Sequence, residues 1–531
     1  MNGLVLILIV IVIFIIAYAT YGAWLAKKWG IDASRTAPSH QLKDNVDYVP
    51  TRNYVVLGHH FASIAGAGPI VGPIAAAFFG WIPVMLWILI GSIFFGGVHD
   101  FGALFASIRH DGKSIGEIIH KNIGDSGKKL FTIFAWLTLV LVIAAFNNIV
   151  AATFAGNGAV ATTSIYFIAL AIVFGLIVNK NNIHLGVATV VGVILLFIGI
   201  WIGNAFPILL SKETWMILLM VYILIAAIAP VWILLQPRDY LNSFLLYAMI
   251  AGAILGLALY RPTIQIPAFT GFVVNGKWMF PMLFVIVACG AISGFHSLVS
   301  SGTTSKQLDN ETDARKIGYG SMLIEGTLAS IALITIGFIT ADKAAELGSP
   351  IAVFSNGLGT FMTSFGIDYA VGNSFVALAI SAFALTTLDT TARLGRFLFQ
   401  EFFSSSNQNS MATNKYFATA VTVIAGGGLG FLGYQKVWPV FGSANQLLAA
   451  LALLAVAAYL KHIGKSNKML VIPMVIMFAV TLTALLFLIR DNIVTNNILL
   501  VIVAAILFVL AIVLIVISYK SLSKKDYTIA K

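Results

Sequence analysis

Long apolar runs recur along the whole of this 531-residue chain and constrain its fold more than any other feature. Each run is about twenty residues long, the length at which a helix crosses a hydrocarbon core ~30 Å thick. In lipid, every backbone polar group needs a partner inside the protein, so only helices or closed barrels span a membrane. Barrel strands are short alternating segments, whereas these runs are continuous. The sequence therefore predicts an all-α integral membrane protein.

The composition points the same way. Hydrophobic residues make up 60% of the chain and charged residues 10%, against roughly a quarter charged in soluble domains. The single cysteine, Cys289, lies inside an apolar run, which excludes a disulfide framework and a thiolate metal cluster. The net charge of +11 fits the basic inner loops of a membrane protein, so we expect no nucleic-acid partner.

The apolar runs divide the chain into fifteen predicted spans. They cover residues 3–25, 57–81, 83–108, 131–155, 164–179, 183–206, 214–235, 241–260, 278–301, 317–340, 371–392, 416–434, 437–460, 469–489 and 496–518. The first run is too long for a signal peptide and lacks a basic n-region, so we expect it to be retained. Most of the 31 lysines and arginines then fall in inner loops, which predicts an N-terminus outside and a C-terminus in the cytoplasm.

The spans group into three parts. Residues 1–56 hold the first span and a cytoplasmic loop, residues 57–403 a transporter core, and residues 404–531 additional C-terminal spans. We expect residues 341–368, which contain Gly and Pro, to form an outer loop. The loops are too short for a soluble catalytic domain.

Glycines and prolines interrupt three of the predicted spans. The second is interrupted at residues 66–69, the seventh at Ala229-Pro230, and the ninth at Gly290 and Gly294. Such residues free backbone groups, which are tolerated where they are buried in protein or line a wet cavity. Interrupted spans at corresponding positions of inverted halves indicate a transporter site. We therefore predict a LeuT-like 5+5 inverted repeat formed by spans 2–6 and 7–11.

Four stretches of the sequence resemble the carbon starvation protein family, CstA. They are Gly58–Pro69, Pro230–Tyr240, Ala288–Thr304 and Trp438–Gln446, and the likeness runs from Asp47 to Leu460. The resemblance implies a fold similar to that of the amino acid–polyamine–cation transporter superfamily. It also implies uptake of peptides, or of pyruvate together with protons, during nutrient limitation.

Two acidic residues, Asp100 and Glu325, lie far from the ends of their predicted spans. At about 1.5 Å rise per residue, each lies roughly 15 Å from the inner end of its helix. A charge at the membrane centre costs at least ~2.5 kcal/mol, so each residue is either a hydrogen-bonded structural carboxyl or a proton acceptor. Because adjacent helical residues point about 100° apart, we expect the partner of Asp100 to come from another helix and not from His99.

Three further histidines lie in or beside the interrupted spans. His59 and His60 begin the second span, and His296 lies in the ninth. Each is either a hydrogen-bonded packing residue or part of the transport path. Imidazole and carboxylate suit zinc or iron, but no spacing sets these groups on one helix face. We therefore predict no metal site and no cofactor.

A group of oxygen atoms offers a second kind of ion site. The oxygens come from hydroxyls in the ninth span and from backbone freed in the second, at residues Ser300, Ser301, Thr303, Thr304, Gly66, Gly68 and Pro69. Such ligands resemble the sodium sites of LeuT-type carriers. Hydroxyls also satisfy helix carbonyls locally, so proton and sodium coupling both stay open.

Two charged pairs lie near the inner ends of spans. Asp389 and Arg393 are four residues apart, and Arg238 precedes Asp239 in the resembling stretch that begins at Pro230. The spacing of four is typical of an ion pair on one helix face. The alternative interpretation is an inner gate, or a contact with a substrate carboxylate.

Together these features favour a secondary active transporter in the cell inner (plasma) membrane. We expect it to import small organic solutes, such as pyruvate, related carboxylates or peptides, with protons as the coupling ion. A sodium-coupled symporter, a channel and a membrane-embedded metal-dependent enzyme are the alternatives. The expected partners are the small-molecule substrate and the lipid bilayer.

Overall fold

The protein is described by a computed structural model covering residues 1–44, 48–180, 185–230, 233–404 and 413–523. Nearly every element in these residues is helical. One short hairpin pairs β1 (Val273–Val274) with β2 (Lys277–Trp278) in antiparallel register. The predicted all-α class is confirmed.

The connections between the helices range from one residue to the segment 261–278, which carries the hairpin. In chain order they are α1 (Gly3–Trp29), α2 (Pro38–Gln41), α3 (Asn53–Ile64), α4 (Gly68–Ala76), α5 (Trp81–Ile108), α6 (Ile115–Ile123), α7 (Asp125–Gly156), α8 (Gly158–Lys180), α9 (Leu185–Ala205), α10 (Lys212–Ile228), α11 (Leu235–Tyr260), α12 (Met279–Ile286), α13 (Ala288–Ala291), α14 (Phe295–Gly302), α15 (Arg315–Phe338), α16 (Ala341–Leu347), α17 (Pro350–Met362), α18 (Tyr369–Ser404), α19 (Lys415–Gly430), α20 (Tyr434–His462), α21 (Lys468–Val494) and α22 (Ile498–Ser523).

Eleven of the helices in the described ranges are long and apolar enough to cross a membrane, or twelve if the bent pair α3 and α4 counts as one span. The multi-pass architecture is thus confirmed, and the predicted count of fifteen is not. Three predicted spans fall on shorter helices. They lie on α10, with 17 residues, on α19, with 16 residues, and on the broken run from α12 to α14.

The prediction of an outer loop at residues 341–368 is wrong, because this segment contains α16 and α17. Ser349 caps α17 by accepting a hydrogen bond from the Ala352 amide, and Pro350 occupies the first turn, where its missing N–H costs nothing. Phe354 and Phe361 are fully buried against the bundle. With 13 residues, α17 is too short to be recognised as a span from hydropathy.

The second predicted span is broken between α3 and α4, whose axes are bent by 44°. Two glycines let neighbouring helices approach this break closely. A Cβ on Gly66 would lie 2.6 Å from Thr387 Oγ1, and a Cβ on Gly68 would lie 2.6 Å from Cys289 Sγ. Gly68 and Pro69 themselves form the first turn of α4. Any larger residue at either glycine would push the surrounding helices apart.

The ninth predicted span is also broken, between α13 and α14. Asn445 on α20 satisfies the backbone groups freed there. Its carbonyl accepts a hydrogen bond from the Gly294 amide at 3.0 Å, and its side-chain oxygen accepts one from the Phe295 amide at 2.9 Å. This supplies from a neighbouring helix the partners that lipid does not offer.

The seventh predicted span leaves the helical conformation at Ala229 and Pro230, as expected. α10 ends at Ile228, and Ala229 and Pro230 lie beyond its end. Arg393 donates hydrogen bonds to the carbonyls of Ala226 and Ala229. The neighbouring residues 231 and 232 of the resembling stretch lie outside the described residues.

A π-helical turn follows each broken run. Residues Gly91–Gly96 form one within α5, and Arg315–Tyr319 form the other at the start of α15. The Tyr319 hydroxyl donates a hydrogen bond of 3.2 Å to the Ile93 carbonyl, which joins the two turns. Such turns are rare and are frequent at functional sites. They precede Asp100 and Glu325, respectively.

Candidate functional site

Four titratable side chains from three helices meet in the bundle interior. His99 and Asp100 come from α5, His296 from the first turn of α14, and Glu325 from α15. Each is at most 1% exposed. We call these four residues the histidine–carboxylate cluster.

The geometry of the cluster centres on His296. Its Nδ1 lies 2.8 Å from Asp100 Oδ2, and its Nε2 lies 3.4 Å from Glu325 Oε2. One imidazole ring therefore stands between two carboxyl groups. A histidinium is stabilised by the carboxylate beside each nitrogen, and removing its proton weakens both contacts, so the protons of the three groups are coupled. Chemically, the arrangement can take up and release a proton inside the membrane.

The expectation about His99 is wrong, whereas the expectation of a partner from another helix agrees with the contact to His296. His99 Nδ1 lies 2.7 Å from Asp100 Oδ1. The angle of about 100° between neighbours describes where side chains leave the helix, and the long imidazole side chain reaches back to the carboxylate beside it.

His60 and His59 on α3 reach different surroundings. His60 Nδ1 lies 2.8 Å from Thr304 Oγ1, just beyond the helix that carries His296, and the residue is fully buried. His59 Nδ1 lies 3.8 Å from Asp239 Oδ2, and its side chain is 18% exposed. The imidazole of His60 therefore faces the end of α14, and that of His59 faces α11.

A second buried group of charges lies on α10, α11 and α18. Arg238 contacts Asp389 Oδ2 through Nη1 and lies 3.2 Å from Asp239 Oδ1 through Nη2. The Tyr222 hydroxyl donates to Asp389 Oδ2 at 2.7 Å and accepts from Arg238 Nη1 at 2.7 Å. We call Tyr222, Arg238, Asp239 and Asp389 the arginine network.

This network corrects one predicted pair. Asp389 forms its ion pair with Arg238 on another helix, while Arg393, four residues from Asp389, donates to the carbonyls at the end of α10. Spacing along one helix identified the charged residues but not their partners. Sequence reasoning also missed Tyr222, whose hydroxyl is recognisable only by what it contacts.

The hydroxyl cluster at the end of α14 is largely engaged by the protein itself. Ser301 and Thr303 donate to the carbonyls four residues earlier, at 2.7 and 3.0 Å, and Thr304 contacts His60. The Ser300 hydroxyl is buried without a hydrogen-bond partner among the described residues. No group of three or more His, Cys, Asp or Glu in the described ranges is arranged to hold a metal ion.

A cavity of about 10 Å³ lies between the two breaks. Its wall includes Gly66, Gly68, Cys289, Ser293 and Thr387. This volume is close to the smallest that holds one water molecule, so the bundle is closed around the breaks. The N-termini of α4 and α14 both begin at this cavity, and helix N-termini favour a negatively charged group.

Sequence reasoning missed several residues of this central region. Thr387 and Cys289 line the cavity, and Asn445 caps α14 and contacts Cys289 and Ser293. Asn445 belongs to the last resembling stretch, and a polar side chain inside an apolar helix is the signal that identifies it.

Two broken helices meet at this small cavity, close to the buried histidine–carboxylate cluster. The fold is that of a multi-pass helical membrane protein. A crystal structure of the Eremococcus coleocola manganese transporter, in complex with an aromatic bis-isothiourea substituted compound, is similar with a TM-score of 0.50. The similarity covers 90% of this chain and 99% of that chain at 12% sequence identity, and it concerns the fold alone.

The chain belongs to the carbon starvation protein CstA family, whose model matches residues 2–356 and 343–484. The peptide transporter CstA of Escherichia coli is 33% identical, over 86% of this chain and 77% of that protein. The peptide transporter CstA of Bacillus subtilis is 32% identical over 88% of this chain and 87% of that protein. The pyruvate/proton symporter BtsT of Escherichia coli is 32% identical over 83% of this chain and 75% of that protein. The predictions of a transporter, and not an enzyme, are confirmed.

Proposed function

We propose that this protein imports small carboxylate-bearing solutes, either pyruvate and related carboxylates or short peptides, together with protons. The observation that carries proton coupling is His296, which stands between Asp100 and Glu325 in a fully buried site. The pyruvate/proton symporter among its relatives supports the same coupling. Both substrate classes carry a carboxylate, which suits the two helix N-termini at the central cavity.

The two histidines of α3 offer a route for the proton between the cluster and the inner side. We propose that the histidine–carboxylate cluster loads a proton while the carrier faces outward, and that His60 and then His59 lead towards the inner side. His59 supports this route because its side chain is 18% exposed, whereas the four cluster residues are at most 1% exposed.

The arginine network serves as the inner gate in this proposal. Arg238 holds α11 to α18 through Asp389, and Asp239 lies near His59. A change of charge on His59 therefore acts directly on a carboxylate that also contacts Arg238. Opening towards the cytoplasm requires these contacts to rearrange.

We also propose that the chain crosses the membrane fifteen times, with its N-terminus outside the inner membrane and its C-terminus in the cytoplasm. A helix of 17 residues lies at the lower limit for crossing, and α10 has this length. We propose that the second half of the inverted repeat begins with the broken run α12–α14, and not with the predicted seventh span. Each broken run is then followed by a helix with a π-helical turn and a buried carboxylate.

The decisive experiment measures uptake into proteoliposomes containing the purified protein. Labelled pyruvate and a labelled dipeptide are offered under a proton gradient or a sodium gradient. A pH difference of one unit drives about tenfold accumulation per coupled proton, and we expect this in the wild-type protein. The Asp100→Asn variant should keep substrate exchange and lose the accumulation.

Uptake that follows a sodium gradient and ignores pH would contradict proton coupling and would favour the buried Ser300 region as a cation site. Accumulation by Asp100→Asn at the wild-type rate and pH dependence would make Asp100 a structural residue. Transport of neither substrate under any gradient would overturn the proposed substrate class.

A further inference from the structure

A groove with a volume of about 450 Å³ opens towards the lipid between α1, α15 and the start of α3. Phe14 and Leu323, each 4% exposed, form its floor. Ile15 and Ile324 line its sides, and Lys316 lies at one end. The hydroxyl of Thr327 donates to the Leu323 carbonyl at 3.0 Å. Because this hydroxyl is already bonded within its own helix, the lining is largely apolar apart from its end at Lys316.

The groove has the length of one membrane leaflet. Lys316 and Thr327 both line it and are eleven residues apart on α15, which corresponds to roughly 16 Å along the helix. A hydrocarbon core ~30 Å thick has leaflets of about half that depth. The groove thus runs from the membrane surface, where Lys316 lies, towards the middle.

Positive charge is concentrated at the surface end of the groove. Lys316 is exposed, and the guanidinium of Arg315 lies 4.8 Å from the centre of the Tyr18 ring, which also lines the groove. The nearby acidic residue Asp313 accepts a hydrogen bond from Asn53 at the start of α3. A tyrosine and basic side chains at the head-group level are typical of contacts with anionic lipids.

A second, larger groove provides a comparison within the same molecule. It has a volume of about 590 Å³ and is lined by α9, α11 and α18 residues such as Phe197, Leu255 and Phe375. Its lining in the described structure contains no charged residue. An apolar groove of this kind accepts an acyl chain whatever head group it carries, whereas the groove at Lys316 adds a charge.

We propose that the groove at Lys316 binds one anionic phospholipid of the adjoining leaflet. Its phosphate contacts Lys316, and one acyl chain lies along α15 between Ile15 and Ile324. Burial of the chain against apolar walls supplies binding energy for any phospholipid, and the lysine supplies the preference for negative charge. The acyl chain contacts Ile324, which is next to the buried Glu325. The bound lipid therefore supports α15, the helix that carries this carboxyl group.

The test uses the purified full-length protein with phosphatidylglycerol and phosphatidylcholine. Native mass spectrometry counts retained lipids, and a thermal melt in mixed micelles gives the lipid concentration at half-maximal stabilisation. We expect phosphatidylglycerol to stabilise the wild-type protein at a lower concentration than phosphatidylcholine. Lys316→Gln should raise the phosphatidylglycerol midpoint about fivefold, the effect of losing one basic contact of ~1 kcal/mol.

Two further variants separate head-group and chain contacts. Gly320→Leu fills the groove, because a Cβ at Gly320 meets only ordinary contacts, at 3.6 Å from Tyr18. It should remove the preferred lipid from the mass spectrum. Lys468→Gln is the matched control, since Lys468 is an exposed lysine at the start of α21, away from the groove. It should behave as the wild type.

Equal midpoints for the two lipids in the wild-type protein would overturn the proposal, as would a Lys316→Gln midpoint equal to that of Lys468→Gln. If Gly320→Leu melts early without lipid, the Lys316→Gln comparison still decides the outcome. None of these measurements uses transport, so failure of the proposed uptake function would leave this result unaffected.

Discussion

The histidine–carboxylate cluster and the arginine network are both buried groups of charges, but they use different cations. In the cluster, the cation is the protonated form of His296, and an imidazole can carry its proton or give it up. In the network, the cation is Arg238, which stays charged at every physiological pH. The comparison indicates that the cluster is suited to changing its charge, and the network to holding helices together until its contacts are rearranged.

The largest expected effect is on stability, at the arginine network. Arg238→Met leaves Asp389 and Asp239 buried without their guanidinium partner, and removing one member of a buried ion pair costs about 3–5 kcal/mol. We expect a large fall in the melting temperature of the purified protein in detergent. The double variant Arg238→Met with Asp389→Met also removes the Asp389 charge and should recover part of the loss, because only Asp239 then lacks its guanidinium partner. A single variant as stable as the wild type would show that the network does not hold α11 to α18.

An intermediate effect is expected in the cluster, and it concerns transport and not folding. Glu325→Gln keeps the shape of the side chain and removes its ability to release a proton. We expect little change in melting temperature and loss of the roughly tenfold accumulation that one pH unit drives, measured in proteoliposomes. Substrate exchange without a gradient serves as the control. A large drop in stability with unchanged coupling would mean that Glu325 is structural, as the alternative interpretation of the sequence holds.

The smallest effect is expected at His59, which lies between the two regions. His59→Gln removes an imidazole 3.8 Å from Asp239 on the partly exposed side of α3. A contact of this kind contributes up to ~1 kcal/mol, so we expect net proton-driven uptake to slow by about two- to fivefold. Exchange of substrate at equal pH should be unaffected. Equal slowing of both processes would indicate a packing role and would remove His59 from the proposed proton route.

Much of the fold was predictable because membrane crossing is a local property of the chain. A helix in lipid satisfies its own backbone, so apolar length by itself identifies α5, α7, α15 and α20. The same reasoning failed at α17, which is short and buried by other helices instead of by lipid. At Ala229–Pro230 the expected departure from helical backbone is present, and α10 ends there.

The candidate site was predictable in its residue types but not in its contacts. Asp100 and Glu325 were recognisable because carboxyl groups are costly at the membrane centre. Their common neighbour, His296, lies 196 residues from Asp100 in the chain. No periodicity relates residues so far apart, since helix geometry describes only neighbours within a few turns. The pairing of Asp389 with Arg238, 151 residues away, has the same origin.

The sequence by itself determined that this chain is an all-helical membrane protein of the CstA family. Apolar length, the low number of charges and the order of the motifs are all properties of the linear sequence. Only the tertiary structure decided which imidazole stands between which carboxyl groups, and which helix ends meet around the central cavity. The reason is physical. A buried polar group needs a partner within about 3 Å, and packing alone determines which distant residue comes that close.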